Sequence, residues 1–477
     1  MNERRDGVNG VTGKIKLAAL VALAFATAPA FAQQSAPRDP AEPPQGKPQP
    51  RILPRPLGAV ARQSIDEKSM RVLIQNLVSC GTRLTLSSWT DPKRGIGCGR
   101  DFVLARLNDI AKESGGKLQV VIDKFESKSE RTGPNPAHLE NVYAILPGSD
   151  PKLAKTLFIV VGDVDSRPSD PMDPNADAPG ADDDGSGTAV SVECARQLSS
   201  PAVNGHGKFG SLRSSLLFGV LSGEEQGLLG AYRLLEWTKE QGYTVGAMLD
   251  NDIVGADPAP GGPHRVRVFS GNGEIEDADS PVRELARAIE EIDGHGAIRM
   301  IFRQDRYGRG GDHFPFYKAG LPAVRFTEPL EDYTHQHQTP RTENGIEYGD
   351  LEKYLNYAFM GNVARDNAEV LRQLAMAPAP PTNARLKGAV TPDAKVSWSA
   401  EDDPERGGFE IQWRETTDPR WHVYDFVVAP GETVLKGVST DNHFFAVRSV
   451  GKNGARSLAV PTEMERRPPL APSRSSQ

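Results

Sequence analysis

At 477 residues the chain has room for two or three domains, and a hydrophobic content of 38% is enough to build real cores. Its formal charge is −7; the first 32 residues carry four basic and two acidic side chains, so the rest of the chain stands at −9. A mildly acidic chain without a basic stripe argues against nucleic acid as a partner.

The chain opens with Arg4, Arg5, Lys14 and Lys16 ahead of the apolar run LAALVALAFATAPAFA, which closes on Ala30-Phe31-Ala32, a small-x-small cleavage signal. That run is short and Ala-rich for a membrane span. Residues 1–32 therefore read as a signal peptide, with a single membrane anchor as the competing reading, and the expected location is periplasmic or secreted. No later stretch is long enough to cross a bilayer. Residues 33–60 are Pro-rich and polar, a linker or pro-segment without a core of its own. Export gives the three cysteines a context: Cys80 and Cys98 flank a loop of workable length for a disulfide, while Cys194, in an apolar-periodic stretch, reads as a buried core thiol.

Helical periodicity appears at 65–77, 102–110, 186–198, 227–238, 281–292, 313–319 and about 350–374. Strand signals lie at 118–125, 142–146, 157–161, 216–221, 247–253, 266–269 and 323–326. Strands alternating with helices imply an α/β domain over 61–376, a mostly parallel, doubly wound sheet flanked by helices. After a Pro-rich linker at 377–382 the texture changes. Residues 394–399, 408–414, 422–428, 432–435 and 443–450 alternate apolar and polar between turn clusters, which predicts a small all-β, immunoglobulin-like sandwich over 383–466, followed by a tail at 467–477. Trp398 and Trp413 then read as packing residues.

The chemistry gathers at strand ends. The apolar run at 157–161 empties into a loop holding Asp163, Asp165, Asp170, Asp173, Asp177, Asp182, Asp183 and Asp184 before Gly185 to Gly187 opens a helix. So many like charges repel unless something cationic holds them, and the carboxyl edge of an open α/β sheet is where ligands sit. A divalent metal meets both conditions. A solvated acidic loop is the bland alternative, and the regular spacing of a calcium loop is absent. Three further clusters follow apolar runs: Glu224-Glu225 after 216–221, Asp250-Asn251-Asp252 after 247–249, and Glu328 with His335-Gln336-His337 after 323–326. Adjacent side chains diverge, so of Glu224 and Glu225 one can ligate an ion while the other faces a water. Each cluster alone has a dull explanation as a surface pair, a cap or a solvated His; four in register with a parallel sheet point to one metal site.

The succession GADDDGSGTA, LSGEEQGLLGA, MLDNDIVG, GGDHFPFYKAGLPAVRFTE and HQHQTP resembles family twenty-eight of the metallopeptidases, the co-catalytic zinc aminopeptidases, over roughly residues 73–374. The resemblance implies two divalent ions, zinc expected, with Asp183 bridging them, Glu225 on one and Asp252 on the other. It implies that Glu224 is the general base and that His337 is the terminal His ligand, because Thr339-Pro340 follows; His335 is the fallback, and Arg341 stands where the family has Asp. The family's Gly-His-x-Asp reads Gly162-Asp163-Val164-Asp165 here. Asp163 then takes the place of an imidazole ligand, and an all-oxygen set of Asp163, Asp183 and Asp252 favours manganese, magnesium or calcium at that position. Asp165, which in the family steadies the His ring, would face another carboxylate, with Arg167 a plausible neutraliser. Asp312 and His313 lie where family members line the site, His313 as an oxyanion contact or as a packed loop His.

The implied function is an exported, metal-dependent exopeptidase with a peptide substrate, an aminopeptidase by resemblance. A carboxypeptidase or other amide hydrolase shares the scaffold, and a non-catalytic binding protein is the alternative from another class. The carboxyl-terminal segments PPTNARL, VSWSA, FEIQWRE and FFAVRSVGKNGARS resemble a fibronectin type III domain, which would hold substrate or a cell surface.

Overall fold

A computed structural model describes residues 65–201, 212–258, 262, 264–271, 279–294, 296–388 and 390–465. The expected signal peptide, the Pro-rich segment to residue 60 and the tail from 467 lie outside the described residues. Among the described residues no helix is long and apolar enough to cross a membrane.

Eight strands form one sheet: β1 (Gln119–Ser127), β2 (Ala137–Leu146), β3 (Thr156–Asp163), β4 (Ser215–Leu221), β5 (Thr244–Asn251), β6 (Val266–Phe269), β7 (Ile298–Ile301) and β8 (Ala323–Thr327), in the order β1-β2-β4-β3-β5-β8-β6-β7. The centre, β4-β3-β5-β8, is parallel as expected. The flanks are not: β1–β2, β2–β4 and β6–β8 pair antiparallel, so the sheet is mixed. Among the described residues seven α-helices accompany it, α1 (Glu67–Ser79), α2 (Ile96–Glu113), α3 (Gly185–Ser199), α4 (Leu229–Glu240), α5 (Pro281–Asp293), α6 (Phe314–Lys318) and α7 (Tyr357–Met376).

β3 is buried on both faces, which is why it reads as an unbroken apolar run. Phe158 and Val160 join the core shared with α1, α2, α3, α5 and α7; Leu157, Ile159 and Val161 join a second core under α4 and α6. The chain passes from β3 through α3 to β4 on one side, then through α4 to β5 on the other. The carboxyl end of β3 is therefore a topological switch point, where loops part and leave a crevice. α3 starts abruptly there because Asp184 caps it, accepting from the Gly187 N–H. A Cβ on Gly162 would lie 2.2 Å from the Gly187 carbonyl carbon, and one on Gly187 would lie 1.8 Å from the Asn251 carbonyl oxygen. Only glycine lets β3, β5 and this turn approach so closely.

Three local expectations need correction. The last helix begins at Tyr357, capped by Asn356, and not at 350, because the Asp350 side chain is committed to the acidic loop described below. β7 was hidden by its short length. The hairpin of β9 (Arg341–Glu343) and β10 (Ile346–Tyr348) turns on Asn344-Gly345, both at positive φ, the chemistry a two-residue hairpin needs.

Beyond α7 lie two four-stranded sheets. β11 (Thr382–Lys387), β12 (Ala394–Ser399), β15 (Gly431–Leu435) and β18 (Glu463–Met464) form one; β13 (Arg406–Glu415), β14 (His422–Val427), β16 (His443–Gly451) and β17 (Val460–Pro461) form the other. Val396, Trp398, Phe409, Ile411, Phe445 and Val447 make a common core, with Trp413 packed against it. This region meets α5 through charge. Arg420 pairs with Glu290 at 2.7 Å, Arg448 with Glu291 at 2.5 Å, Arg414 with Asp279, and the Trp421 indole donates to Glu284 at 2.7 Å.

Cys80 and Cys98 form the expected disulfide, Cα atoms 5.9 Å apart, tying the end of α1 to the start of α2. Cys194 is buried and unpaired in a disulfide.

Candidate metal centre

Four strand ends deliver the site. Asp163 closes β3, Glu224 and Glu225 follow β4, Asp252 follows β5, and the segment after β8 carries Gln336 and His337. Three of these side chains meet. His337 Nε2 lies 2.9 Å from Asp183 Oδ2 and 2.9 Å from Glu225 Oε1. Among the described residues, Asp183, Glu225 and His337 are the one group of His, Cys, Asp or Glu donors whose ligand atoms all lie within 4.8 Å of one another. One imidazole nitrogen and two carboxylate oxygens are a donor set that suits a divalent transition metal. The backbone at His337 is at φ 57°, a left-handed conformation that turns the ring onto the acids.

Each donor is held from behind. Asp350 accepts from the Asp182 N–H at 2.9 Å and the Asp183 N–H at 2.8 Å, and Gln336 Nε2 donates to Asp183 Oδ2 at 3.0 Å. Asp165 accepts from the N–H groups of Gly223, Glu224 and Glu225 at 2.7, 3.3 and 3.2 Å and from the Thr85 hydroxyl at 2.9 Å. Asp165 thus faces other carboxylates, as expected, and in addition fixes the backbone that presents Glu224 and Glu225. Arg167 does not neutralise it. Its Nη1 lies 3.2 Å from His337 Nδ1 and 3.5 Å from Glu225 Oε2, so it works on the far side of the donor group. Behind the acidic loop, the buried Arg83 donates to the carbonyls of Val164, Pro179 and Gly180 at 2.7, 2.5 and 2.8 Å. Asp350, Gln336, Thr85 and Arg83 carried no sequence signal of their own.

Electrostatics divide the acids into two kinds. Burial pulls His337 down, but Glu225 and Asp183 outweigh it and push the imidazole up to about 10. Burial would raise Asp183, yet His337 beside it holds the carboxyl below the usual range. The rest go the other way. Burial, then Glu225, Asp252, Asp312 and Asp183, push Glu224 well above the ordinary carboxylate range. Burial, then Asp184, Asp165, Glu224 and Asp252, do the same to Asp163. Burial and Glu225 raise Asp165 to about 6 against its hydrogen bonds.

The remaining expected residues are placed as follows. Asp252 lies beside the group, but its Oδ2 is 2.7 Å from Arg325 Nη2. Asp163 is buried at the end of β3 and outside the three-donor group. His335 stacks on Tyr354 with ring centroids 3.7 Å apart and takes no part in the donor group. His313 is buried with both ring nitrogens engaged, Nδ1 3.0 Å from Asp250 Oδ2 and Nε2 3.0 Å from the Gln304 carbonyl. That leaves no free ring nitrogen for an oxyanion, and the packed-loop reading fits. Asp312 is buried with neither carboxylate oxygen hydrogen-bonded. Arg325 was missed, although a charged residue inside the apolar run AVRF is a visible anomaly.

Acids and a histidine converging at the carboxyl edge of a parallel sheet, with the half-buried Glu224 beside them, define a metal-dependent hydrolase. The description of peptidase family M28 matches residues 141–360. A protein of Pyrenophora tritici-repentis named a probable zinc metalloprotease is 38% identical over 432 residues, covering 85% of this chain and 95% of its own length. A probable zinc metalloprotease of Leptosphaeria maculans is 36% identical over 420 residues, covering 83% and 95%. The solved structure of LapA from Legionella superposes with a TM-score of 0.50 at 20% identity, over 67% of this chain and 75% of that one, a likeness of fold. The chain belongs to peptidase family M28 and is a metallopeptidase.

Proposed function

We propose that the protein is an exported, zinc-dependent exopeptidase that removes residues from the amino end of peptides. The observation that carries this reading is His337 Nε2 equidistant from Asp183 and Glu225, with Glu224 next in the chain. Relatives named as probable zinc metalloproteases and the donor set of one nitrogen and two oxygens favour zinc. Asp183, Glu225 and His337 would hold the ion, which would supply electrophilic polarisation and acidify a water.

The chain's own residues do the rest. Glu224, raised in pKa by burial and its acidic neighbours, accepts a proton from the attacking water and hands it to the leaving amine. Asp165 keeps Glu224 and Glu225 in register through three backbone N–H groups. Arg167 stands 3.5 Å from Glu225 Oε2 and so faces the donor group with a positive charge. Asp183 also borders a cavity lined by Asp182, Glu328, Asp332 and Asp350, by Glu331, whose carboxylate is already paired with Arg267, Arg306 and Arg309, and by no Lys or Arg. Such a wall favours a protonated amine over a carboxylate, which supports cleavage at the amino end.

Export is supported by the leader composition and by the disulfide, which belongs in an oxidising compartment. The two carboxyl-terminal sheets are read as the fibronectin type III-like module, fixed to α5 and offering its other faces to substrate or a cell surface. Amino-acid anilides with free and with blocked amino ends, assayed before and after chelation and zinc return, test the proposal. Zinc-restored cleavage of the free-ended set alone is expected. Preference for blocked ends would replace the aminopeptidase reading with another amide hydrolase, and zinc binding without turnover would favour a binding protein.

A further inference from the structure

The resemblance implies two cations; we propose that this centre is built for one, held by Asp183, Glu225 and His337, and that the Arg325 guanidinium permanently occupies the charge position beside Asp252. The inference deepens the functional reading above and rests on it.

Arg325 springs from the middle of β8, and its side chain is fully buried. One guanidinium nitrogen is directed to the end of β5 and the other to the loop before α6. Nη2 lies 2.7 Å from Asp252 Oδ2 and donates to the Asp252 carbonyl at 3.3 Å; Nη1 donates to the Gly310 carbonyl at 2.5 Å and lies 3.4 Å from Asp305 Oδ2. A Cβ on Gly311 would stand 2.9 Å from Nη1, so the loop has no side chain where the guanidinium passes. Arginine keeps its charge at any accessible pH, and its weakly hydrated, planar head tolerates burial against carboxylates better than an ammonium does. Asp252 therefore has a covalently tethered counter-ion. A second divalent ion drawing on Asp252 would have to sit next to a fixed positive charge or displace a buried one.

The other donor that ion would need is equally unprepared. Asp163 lies among Asp184, Asp165, Glu224 and Asp252 with the buried Arg83 guanidinium already facing it and its acidic neighbours, and it joins no group of three donors within 4.8 Å among the described residues. Charge is already balanced without it: two carboxylates of the donor group match one divalent ion, and Arg325 matches Asp252.

The test is a metal count on the full purified chain, by elemental analysis after loading with zinc or manganese and by calorimetric titration of the chelated protein. One equivalent per chain, in a single binding event, is expected. Two equivalents overturn the proposal and leave the hydrolase reading standing; none overturns both. Arg325→Met supplies a second arm, because it releases Asp252: the folded variant should take up a further, weaker equivalent of manganese. A folded variant that still takes one removes the role assigned to Arg325, and if the variant does not fold, the count on the unaltered chain still decides.

Discussion

Two carboxylate-rich regions of this molecule follow opposite plans. Along the seam between α5 and the carboxyl-terminal sheets, the acids have arginine or indole donors: Arg448 serves Glu291 and Glu410, Arg420 serves Glu290, and Trp421 and Arg287 share Glu284. At the metal centre the acids press on one another. Acids outnumber cations here, with the Arg83 guanidinium shared among Asp163, Asp165, Asp184 and Asp350, and both oxygens of Asp312 and Oδ1 of Asp252 are buried without a hydrogen-bond partner. Paired acids hold surfaces together. Acids crowded with too few cations store unfavourable energy that a bound ion relieves, and such perturbed groups concentrate where chemistry happens.

The contrast is sharpest under substitution. Glu224→Gln should cut turnover by roughly 10²–10⁴-fold while zinc content by elemental analysis stays unchanged; equal losses of both would mean that Glu224 holds the ion. Arg448→Ala should do the reverse. Its side chain and that of Glu410 are buried, and because Arg456 still holds Glu410, the loss should cost roughly 1.5–3 kcal/mol in denaturant unfolding, with turnover per folded molecule preserved.

Proton competition gives a third, smaller effect. Without an ion, His337 is held protonated, with its pKa pushed up to about 10. Because its folded pKa is raised, the stability it lends the chelated protein is full below the unfolded value and fades as pH rises towards 10. Zinc must displace that proton, so zinc affinity measured by titration should rise with pH over the same window. Asp312→Asn removes one of the charges raising Glu224, and the acid limb of the activity profile should move to lower pH. An unmoved limb would separate the two groups. The exposed pair Arg420–Glu290 should matter least, Arg420→Ala costing about 1 kcal/mol or less in thermal unfolding.

Much of this was legible in the chain itself, for reasons that differ by element. β3 to β5 announce themselves because burial on both faces demands continuous apolar runs, and Asp184 with Gly185 and Gly187 marks the start of α3. Glu225, Asp183 and His337 were legible because each follows a strand or caps its exit. Asp350 was hidden: a carboxylate that accepts from backbone N–H groups 167 and 168 residues away looks like any helix-start acid. Arg325 was overlooked because β8 otherwise has the apolar periodicity of a strand, and which acid it pairs with depends on the sheet order. The antiparallel flanks escaped for a similar reason, since alternating elements specify neighbours in sequence better than direction.

The Cys80–Cys98 link reaches further than its place in the fold suggests. Just beyond Cys80, Gly81 accepts from the Ala178 N–H and Arg83 grips the carbonyls of Pro179 and Gly180, a few residues before Asp183. Closing a loop of this size is worth about 3 kcal/mol, and part of that steadies the ground on which the ion's anchor stands. A chain whose Cys80–Cys98 link is reduced lacks the staple, so breaking that one bond should loosen the loop that presents Asp183.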